Sequence, residues 1–105
     1  MKLVNLTPHS ITFVTENGDI VIEPSGTLAR LTTETRCVGS YAGIPVTETV
    51  YGEIEGLPAY SEGVAYIVSS LVASRCKERT DVYIPNESVR DDKGRIIGCK
   101  SLGRV

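Results

Sequence analysis

Apolar and polar residues alternate along most of this chain, and turn-forming residues separate the alternating runs. A period of two, together with many β-branched residues, predicts short antiparallel strands rather than helices. In the longest run, from Ile44 to Ile54, four apolar side chains fall on even positions, 44, 46, 50 and 54, whereas Thr47, Thr49, Tyr51 and Glu53 fall on odd ones. We expect this run to be a long strand with one buried face and one solvent-exposed face. The other predicted strands are 2–6, 11–14, 20–22, 28–38, 82–84, 88–90 and 95–99.

Turn-forming residues predict how these strands are connected. The dipeptide Asn17-Gly18 best tolerates the two positive φ angles of a tight turn, so the strands on either side of it are predicted to form a hairpin. Residues 91–94 also have the composition of a hairpin turn. Pro85 is predicted to stop the strand at 82–84, and a break is expected near Tyr41.

One segment, from about 68 to 79, has the periodicity of a helix. A serine is placed to cap its start, and basic residues crowd its last turns, where cations suit the helix dipole. The predicted fold class is therefore α+β and mostly antiparallel β, a curled sheet or small barrel with one helix, in a single β-rich domain of residues 1–105. The apolar residues that share the helix face are Val68, Leu71, Val72 and Cys76.

The composition is that of an ordinary soluble globular protein. Of the 105 residues, 41% are hydrophobic, and the net charge of −2 argues against broad binding of nucleic-acid polymers. No apolar run reaches the roughly 18 residues that a membrane span needs, and the first residues do not have the pattern of a secretory signal. We therefore expect a cytoplasmic protein with no membrane partner.

The charges are sorted along the chain. Residues 1–65 carry three basic and eight acidic side chains, a balance of −5, whereas residues 66–105 carry eight basic and five acidic ones, a balance of +3. An arginine guanidinium can donate two parallel hydrogen bonds to the oxygens of a phosphate or a carboxylate. The last third of the chain is therefore predicted to bind an anion. The basic residues of that part are Arg75, Lys77, Arg79, Arg90, Lys93, Arg95, Lys100 and Arg104.

Four arginines are candidate ligand-binding residues. Arg75 and Arg79 are four residues apart, so on a helix they would stack one turn apart and clamp an anion between them. The alternative is that both only stabilise a helix end. Arg30 and Arg90 each interrupt a strand pattern, and either one can bind the same anion or pair with a neighbouring carboxylate.

Two tyrosines bracket the predicted basic helix. Tyr66 and Tyr83 can stack on a nucleobase, although core or rim packing is the more frequent fate of a tyrosine. Catalytic chemistry has less support, because His9 is the only histidine and no local pattern places a nucleophile beside it. Cys37, Cys76 and Cys99 are too widely spaced for a zinc site, so we expect no metal. The sequence also has no phosphate-binding glycine motif and no hydrolase motif, so we expect no cofactor and no enzyme activity.

Several strings of the chain resemble a family of small proteins encoded by bacteriophages and prophages. Within phage biology, a β-rich protein of this size with one helix is also similar to the sponges of the first Thoeris anti-defence family. That resemblance implies a homo-oligomer that holds a cyclic ADP-ribose derivative or a cyclic oligonucleotide without cleaving it. It also implies a phosphate clamp of Arg75 and Arg79, with Arg30 or Arg90 added from strands. The matching strings are LVNLTPH at 3–9, PSGTLAR at 24–30, GIPV at 43–46, GEIEGLP at 52–58, YIVS at 66–69 and VRD at 89–91.

Three functional hypotheses remain. The leading one is a noncatalytic sponge whose partner is an anionic small molecule, a cyclic nucleotide. The alternative is a protein–protein interaction module that inhibits a host factor or serves the phage particle, with the acidic surface of residues 44–54 as its contact. A hydrolase of nucleotide signals that uses His9 is the third.

Overall fold

The computed structural model describes residues 1–105, which form eight strands and one short helix. Antiparallel hairpins are the main local unit, because alternating strands follow one another across short turns. No helix in the structure has the length and apolar character needed to span a bilayer. The elements are β1 (Lys2–Asn5), β2 (Ile11–Thr15), β3 (Gly18–Ile22), β4 (Arg30–Tyr41), β5 (Ile44–Glu55), β6 (Val64–Ile67), α1 (Ser70–Ser74), β7 (Val82–Arg90) and β8 (Ile96–Gly103).

Six strands form one curled sheet in the order β1-β6-β7-β8-β2-β3. The hairpins β2–β3 and β7–β8 are antiparallel, as predicted, but β1–β6, β6–β7 and β2–β8 are parallel pairs that sequence reasoning missed. A parallel bridge between Asn5 and Pro24 brings the two ends of the sheet together, so the sheet closes into a half-barrel. The predicted curled sheet with one helix is confirmed at this level.

The strands β4 and β5 form a separate two-stranded sheet, which we call the arm. Each strand has 12 residues, so the arm is about 40 Å long at roughly 3.3 Å per residue. The radius of gyration is 16.9 Å, whereas a compact domain of about 100 residues has one of roughly 13 Å. The arm accounts for this elongated shape.

Only 15 of the 105 residues are buried, so the core is small. The main cluster lies where the base of the arm, α1 and the sheet meet, and a second cluster is formed by Phe13, Ile67 and Cys99. Such limited burial leaves many apolar side chains exposed. The main cluster contains Leu6, Ala29, Leu31, Tyr66, Val68, Val72, Ala73, Cys76 and Val82.

The predicted helix at 68–79 is much shorter in the structure, where α1 spans Ser70–Ser74. It begins late because the Val68 N–H is bonded to the carbonyl of Tyr83 at 2.9 Å, which extends the sheet, and Ser69 is the N-cap. It ends at Ser74, and Arg75 is its C-cap, with φ near −95° and ψ near −1°. Arg75 and Arg79 therefore do not stack one turn apart on one helix.

Two other local predictions are corrected by the structure. The strand at 82–84 does not stop at Pro85 but continues to Arg90, because β6 ends opposite Tyr83 and leaves that side of β7 without a neighbouring strand. In the first hairpin, Thr15 pairs with Gly18, so the turn is centred one residue earlier than predicted. Of the two residues predicted to need positive φ angles in this turn, only Gly18 has one, of 111°.

Candidate functional site

The register of the arm decides which side chains share a face. Directly opposed residues point to the same side, and Leu31 opposes Ile54 whereas Thr33 opposes Tyr51. From the first pair to the second, β4 advances by two residues whereas β5 advances by three. The extra residue is a β-bulge, and beyond it the even-numbered side chains of β5 point to the other side of the arm. As a result, Ile54 faces the core with Leu31, but the other even-numbered residues of β5 face the opposite side.

The opposite side of the arm carries a row of apolar residues, which we call the arm apolar face. Val50 opposes Glu34, and further along the arm Ile44 opposes Tyr41. The prediction of a half-buried strand at 44–54 is therefore wrong for most of its length, because the bulge turns this row away from the body of the protein. The exposed fractions are 79% for Tyr41, 66% for Ile44, 44% for Val46 and 36% for Val50.

Charged side chains interrupt the arm apolar face near its middle. Arg36 opposes Glu48, and Nε of Arg36 lies 3.8 Å from Oε1 of Glu48. Both side chains are largely exposed, so this ion pair is weak and is easily exchanged for another partner. With Glu34 on the same face, the local balance is one negative charge.

The other side of the arm is polar. Thr35 opposes Thr49, and Cys37 opposes Thr47. Near the base, the guanidinium of Arg75 lies 5.3 Å from the centre of the Tyr51 ring, which is a cation–π contact. Arg75 is exposed and has no carboxylate partner within ion-pair distance, so its N–H groups remain free to bind an anion.

Two open grooves flank β8. The tyrosine groove has a volume of about 460 Å³, and its walls include Leu3, Tyr60, Val64, Tyr83 and Leu102. Tyr83 is the one sequence-predicted site residue in its lining. Lys2 also lines this groove, and no residue of the arm does. It can therefore accept an apolar or aromatic group from outside.

The isoleucine groove lies at the other end of β8 and has a volume of about 260 Å³. Ile11, Pro85, Ile96 and Ile97 form its apolar walls. Along β8, Lys100 and Leu102 alternate with the buried residues Cys99 and Gly103, so they point outward.

Ile96 is also exposed, but it opposes Arg90 beyond a register shift, so it lies on the other face of β8 from Lys100 and Leu102. Sequence reasoning missed both grooves, because their walls come from distant segments of the chain that only the sheet brings together.

Arg79 is held inside the molecule rather than presented to solvent. Its Nε and Nη2 donate to the two carboxylate oxygens of Asp81 at 2.8 and 2.7 Å, and Nη2 also donates to the carbonyl of Pro58 at 3.0 Å. The side chains are only 22% and 4% exposed, respectively. Hydrogen bonding from Arg79 holds the pKa of the Asp81 carboxyl below its usual value, against the opposing effect of burial. An anionic ligand would have to displace Asp81 to reach Arg79.

The other predicted ligand residues have separate partners. Arg30 lies 3.7 Å from Glu55 across the arm, and Arg90 donates to the carbonyl of Gly94 at 2.8 Å. Tyr66 is 5% exposed and belongs to the main core, which supports the packing interpretation for this ring. Neither the tyrosine groove nor the isoleucine groove is lined by an arginine. Convergence of Arg30, Arg75, Arg79 and Arg90 on one ligand stays a prediction.

The thiols and the histidine lie apart from one another. Cys76 and Cys99 are buried, and burial raises the pKa of both thiols, whereas Cys37 is exposed on the arm. His9 is exposed, and its carbonyl accepts hydrogen bonds from Asn5 and Thr7. No group of three histidine, cysteine, aspartate or glutamate side chains has the arrangement of a metal site.

The site that stands out from this geometry is the arm apolar face. Sequence reasoning found the acidic surface of residues 44–54 but not the side of the arm on which its apolar residues lie. Comparison of the chain with protein-family models, with curated proteins and with solved structures found no match.

Proposed function

We propose that this protein is a noncatalytic interaction module that binds a protein partner through the arm apolar face. The observation that carries the proposal is the row of four exposed apolar side chains on the side of the arm that faces away from the core. Exposed apolar side chains clustered on one face of a soluble protein are typical of a binding site. The other side of the same arm is rich in threonine and carries Tyr51 near its base, so most of the exposed apolar residues lie on one face.

The energetics of the arm also favour a bound state. A two-stranded hairpin alone in water is marginally stable at best, and packing against a further element is needed for independent stability. Beyond its base, nearly every residue of the arm is exposed. A partner that covers the arm apolar face would supply the missing packing.

A pair of variants on adjacent residues tests this proposal. Val46→Lys places a charge on the arm apolar face, whereas Thr47→Lys places the same charge on the opposite side. Each tagged protein is used to capture binding proteins from a bacterial lysate, and the captured proteins are quantified by mass spectrometry. We expect the wild-type protein and Thr47→Lys to retain the same partner and Val46→Lys to lose it. Equal capture by all three proteins would refute the proposal.

A nucleotide sponge is the second candidate function, supported by the contact between Arg75 and Tyr51. An exposed arginine stacked on a tyrosine ring offers both donors for a phosphate and a flat surface beside a base. The protein is mixed with cyclic ADP-ribose isomers and cyclic oligonucleotides, and bound material is released by heat and analysed by chromatography. Recovery of intact ligand that is lost with Arg75→Ala supports a sponge, cleaved ligand indicates a hydrolase, and no bound ligand excludes both.

A further inference from the structure

We propose that β3 binds an extended, basic peptide, which adds as a further strand to the free edge of the six-stranded sheet. We call this edge the β3 edge and define it by Gly18–Ile22. Strand β3 is last in the order β1-β6-β7-β8-β2-β3, so it has a neighbouring strand on one side only. This inference goes beyond the proposed function, because the β3 edge belongs to a different sheet from the arm.

Unpaired main-chain groups are the first argument. In an antiparallel pair, alternate residues of a strand direct their N–H and C=O groups away from the partner strand. Only the bridge between Asn5 and Pro24 joins the two end strands, and it lies beyond the last residue of β3. There the Ile22 carbonyl also accepts a hydrogen bond from the Asn5 side chain, at 3.1 Å. An extended peptide can pair with the rest of the β3 edge, and strand addition is a common mode of peptide recognition.

The β3 edge lacks the features that protect other free edges of this chain. Proteins protect such edges with proline, lysine, bulges or very short strands. Beyond Tyr83, the free side of β7 carries Pro85 and Glu87, and Glu87 has a positive φ of 56°. The other end strand, β1, has only four residues and begins with Lys2. By contrast, β3 contains neither proline nor lysine, and it pairs with β2 without a bulge.

Exposed apolar side chains on both faces of β3 add a second argument. Ile20 and Val21 are each 51% exposed, and neighbouring residues of a strand point to opposite faces. Ile20 opposes Phe13 of the second core cluster, and Val21 opposes Thr12 on the other face. A strand added at this edge places its own side chains beside Ile20 and Val21. We therefore expect β-branched or aromatic residues in the peptide, because such pairs stabilise neighbouring strands.

The charge of the β2–β3 hairpin favours a basic peptide. Residues 3–29 contain three acidic side chains and neither lysine nor arginine. Glu16 lies in the turn, Asp19 lies on β3 and Glu23 follows it, and all three are exposed. None of them has a basic side chain within ion-pair distance. Lysine or arginine on the added strand would meet these carboxylates, and opposite charges on neighbouring strands stabilise their pairing.

The same charges disfavour a second copy of β3 as the added strand. If two β3 edges paired in antiparallel orientation around Val21, Asp19 of one copy would oppose Glu23 of the other. Like charges that are directly opposite destabilise a sheet. Other registers also bring two acidic hairpins together. A basic peptide makes the main-chain hydrogen bonds without this repulsion.

A phage-displayed library of random seven-residue peptides, selected on the purified protein, tests the inference. We expect the selected peptides to combine β-branched or aromatic residues with lysine or arginine. Hydrogen exchange followed by mass spectrometry should show slower exchange within residues 18–22 when a selected peptide is bound. Selection of no peptide, or protection of the arm instead of β3, would overturn the inference. Self-association of the protein that protects residues 18–22 without peptide would also overturn it, in favour of a second copy.

N-methylation of a selected peptide separates strand addition from binding through side chains alone. In an added strand, only every second N–H of the peptide faces β3. We expect methylation of one alternate set of residues to weaken binding about tenfold or more, because hydrogen bonds are lost, and methylation of the other set to have little effect. Fluorescence anisotropy measures both affinities. Equal effects of the two sets would contradict strand addition.

Charge reversal in the protein tests the location of the site. Asp19→Lys should weaken binding of a selected basic peptide about tenfold, since repulsion replaces attraction. Asp92→Lys, in the exposed turn before β8, is the matched control and should leave the affinity unchanged. Equal effects of these two variants would overturn the assignment to β3. Val46→Lys on the arm should also leave the affinity unchanged, so this test and that of the proposed function fail independently. Circular dichroism confirms that each variant is folded.

Discussion

Arg79 and Asp81 form a two-point ion pair in which Nε and Nη2 of the arginine bind both oxygens of the carboxylate, at 2.8 and 2.7 Å. The same guanidinium reaches the carbonyl of Pro58, just beyond the arm. Asp81 also accepts a hydrogen bond from the backbone N–H of Tyr66 on its own carbonyl, at 2.8 Å. The pair therefore joins the base of the arm to the centre of the sheet.

Removal of Arg79 should strongly destabilise the fold. In Arg79→Ala, the carboxylate of Asp81 stays buried without its cation, and breaking such a pair costs about 3 kcal/mol or more of unfolding free energy. Urea denaturation followed by circular dichroism measures this change. Arg95→Ala is the matched control, because it removes an ion pair whose arginine is largely exposed, and its effect should be much smaller. Equal effects of the two substitutions would contradict a structural role for Arg79.

The same pair makes stability depend on acid pH. Since the folded pKa of Asp81 lies below its ordinary value of 3.8, the folded state binds a proton less readily than the unfolded state. The stabilisation is complete above that ordinary value and is lost as the pH falls through the lower folded pKa. Urea midpoints measured from neutral pH to strong acid should fall less steeply for Asp81→Asn than for the wild-type protein.

A second carboxyl provides an internal reference for that pH experiment. The pKa of Asp91 is also lowered, first by the backbone N–H of Arg95, and Asp81→Asn leaves this dependence in place. Some acid sensitivity should therefore remain in the variant. An unchanged pH profile in Asp81→Asn would contradict the assignment to Asp81.

Asn5→Ala should destabilise the closure of the half-barrel. The buried Asn5 amide donates to the carbonyls of His9 and Ile22, at 2.7 and 3.1 Å, and its oxygen accepts from the backbone and hydroxyl of Thr7. Loss of these bonds leaves buried groups unpaired and should cost about 2 to 4 kcal/mol. Urea denaturation measures the cost. Asn17→Ala, in an exposed turn, should change stability by less than about 0.5 kcal/mol, and comparable losses would refute this role.

Gly56→Ala should be more damaging than Gly63→Ala. Both glycines have positive φ, of 82° and 78°, which costs a residue with a Cβ about 1 to 2 kcal/mol. Only at Gly56 would the new methyl group collide with the backbone carbonyl of Leu28, where the chain leaves the arm, and this overpacking should add about 1 to 3 kcal/mol. Thermal denaturation of the two variants compares them directly. Equal losses of stability would show that the contact at Leu28 relaxes freely.

Alkylation of the folded protein should modify Cys37 alone. Its thiol is exposed on the arm, whereas Cys76 and Cys99 are buried, and burial raises the pKa of both and so suppresses their thiolates. Brief treatment with iodoacetamide near neutral pH, followed by peptide mass spectrometry, should find one adduct. The urea-unfolded protein, as a control, should show three. Early modification of Cys76 would contradict the position of α1 over the core.

Local sequence patterns predicted the hairpins well because strand alternation and turn residues act over a few positions. The hairpin 11–22, the break near Tyr41 and the pairing of 88–90 with 95–99 depend on neighbouring residues. The helix was overestimated because its periodicity includes Val68, which extends the sheet instead. The parallel pairs escaped prediction because they join segments that are far apart in the chain.

The sequence by itself determined that the chain folds into β-hairpins, that one short segment is helical, and that opposite charges are sorted between its two parts. Only the tertiary structure decided that Arg79 is paired with Asp81 and that the apolar row of β5 faces solvent. The physical reason is the β-bulge near the base of the arm, since a shift of one residue moves every later side chain to the other face. Alternation indicates that a strand has two faces, but register and long-range packing decide which face is covered.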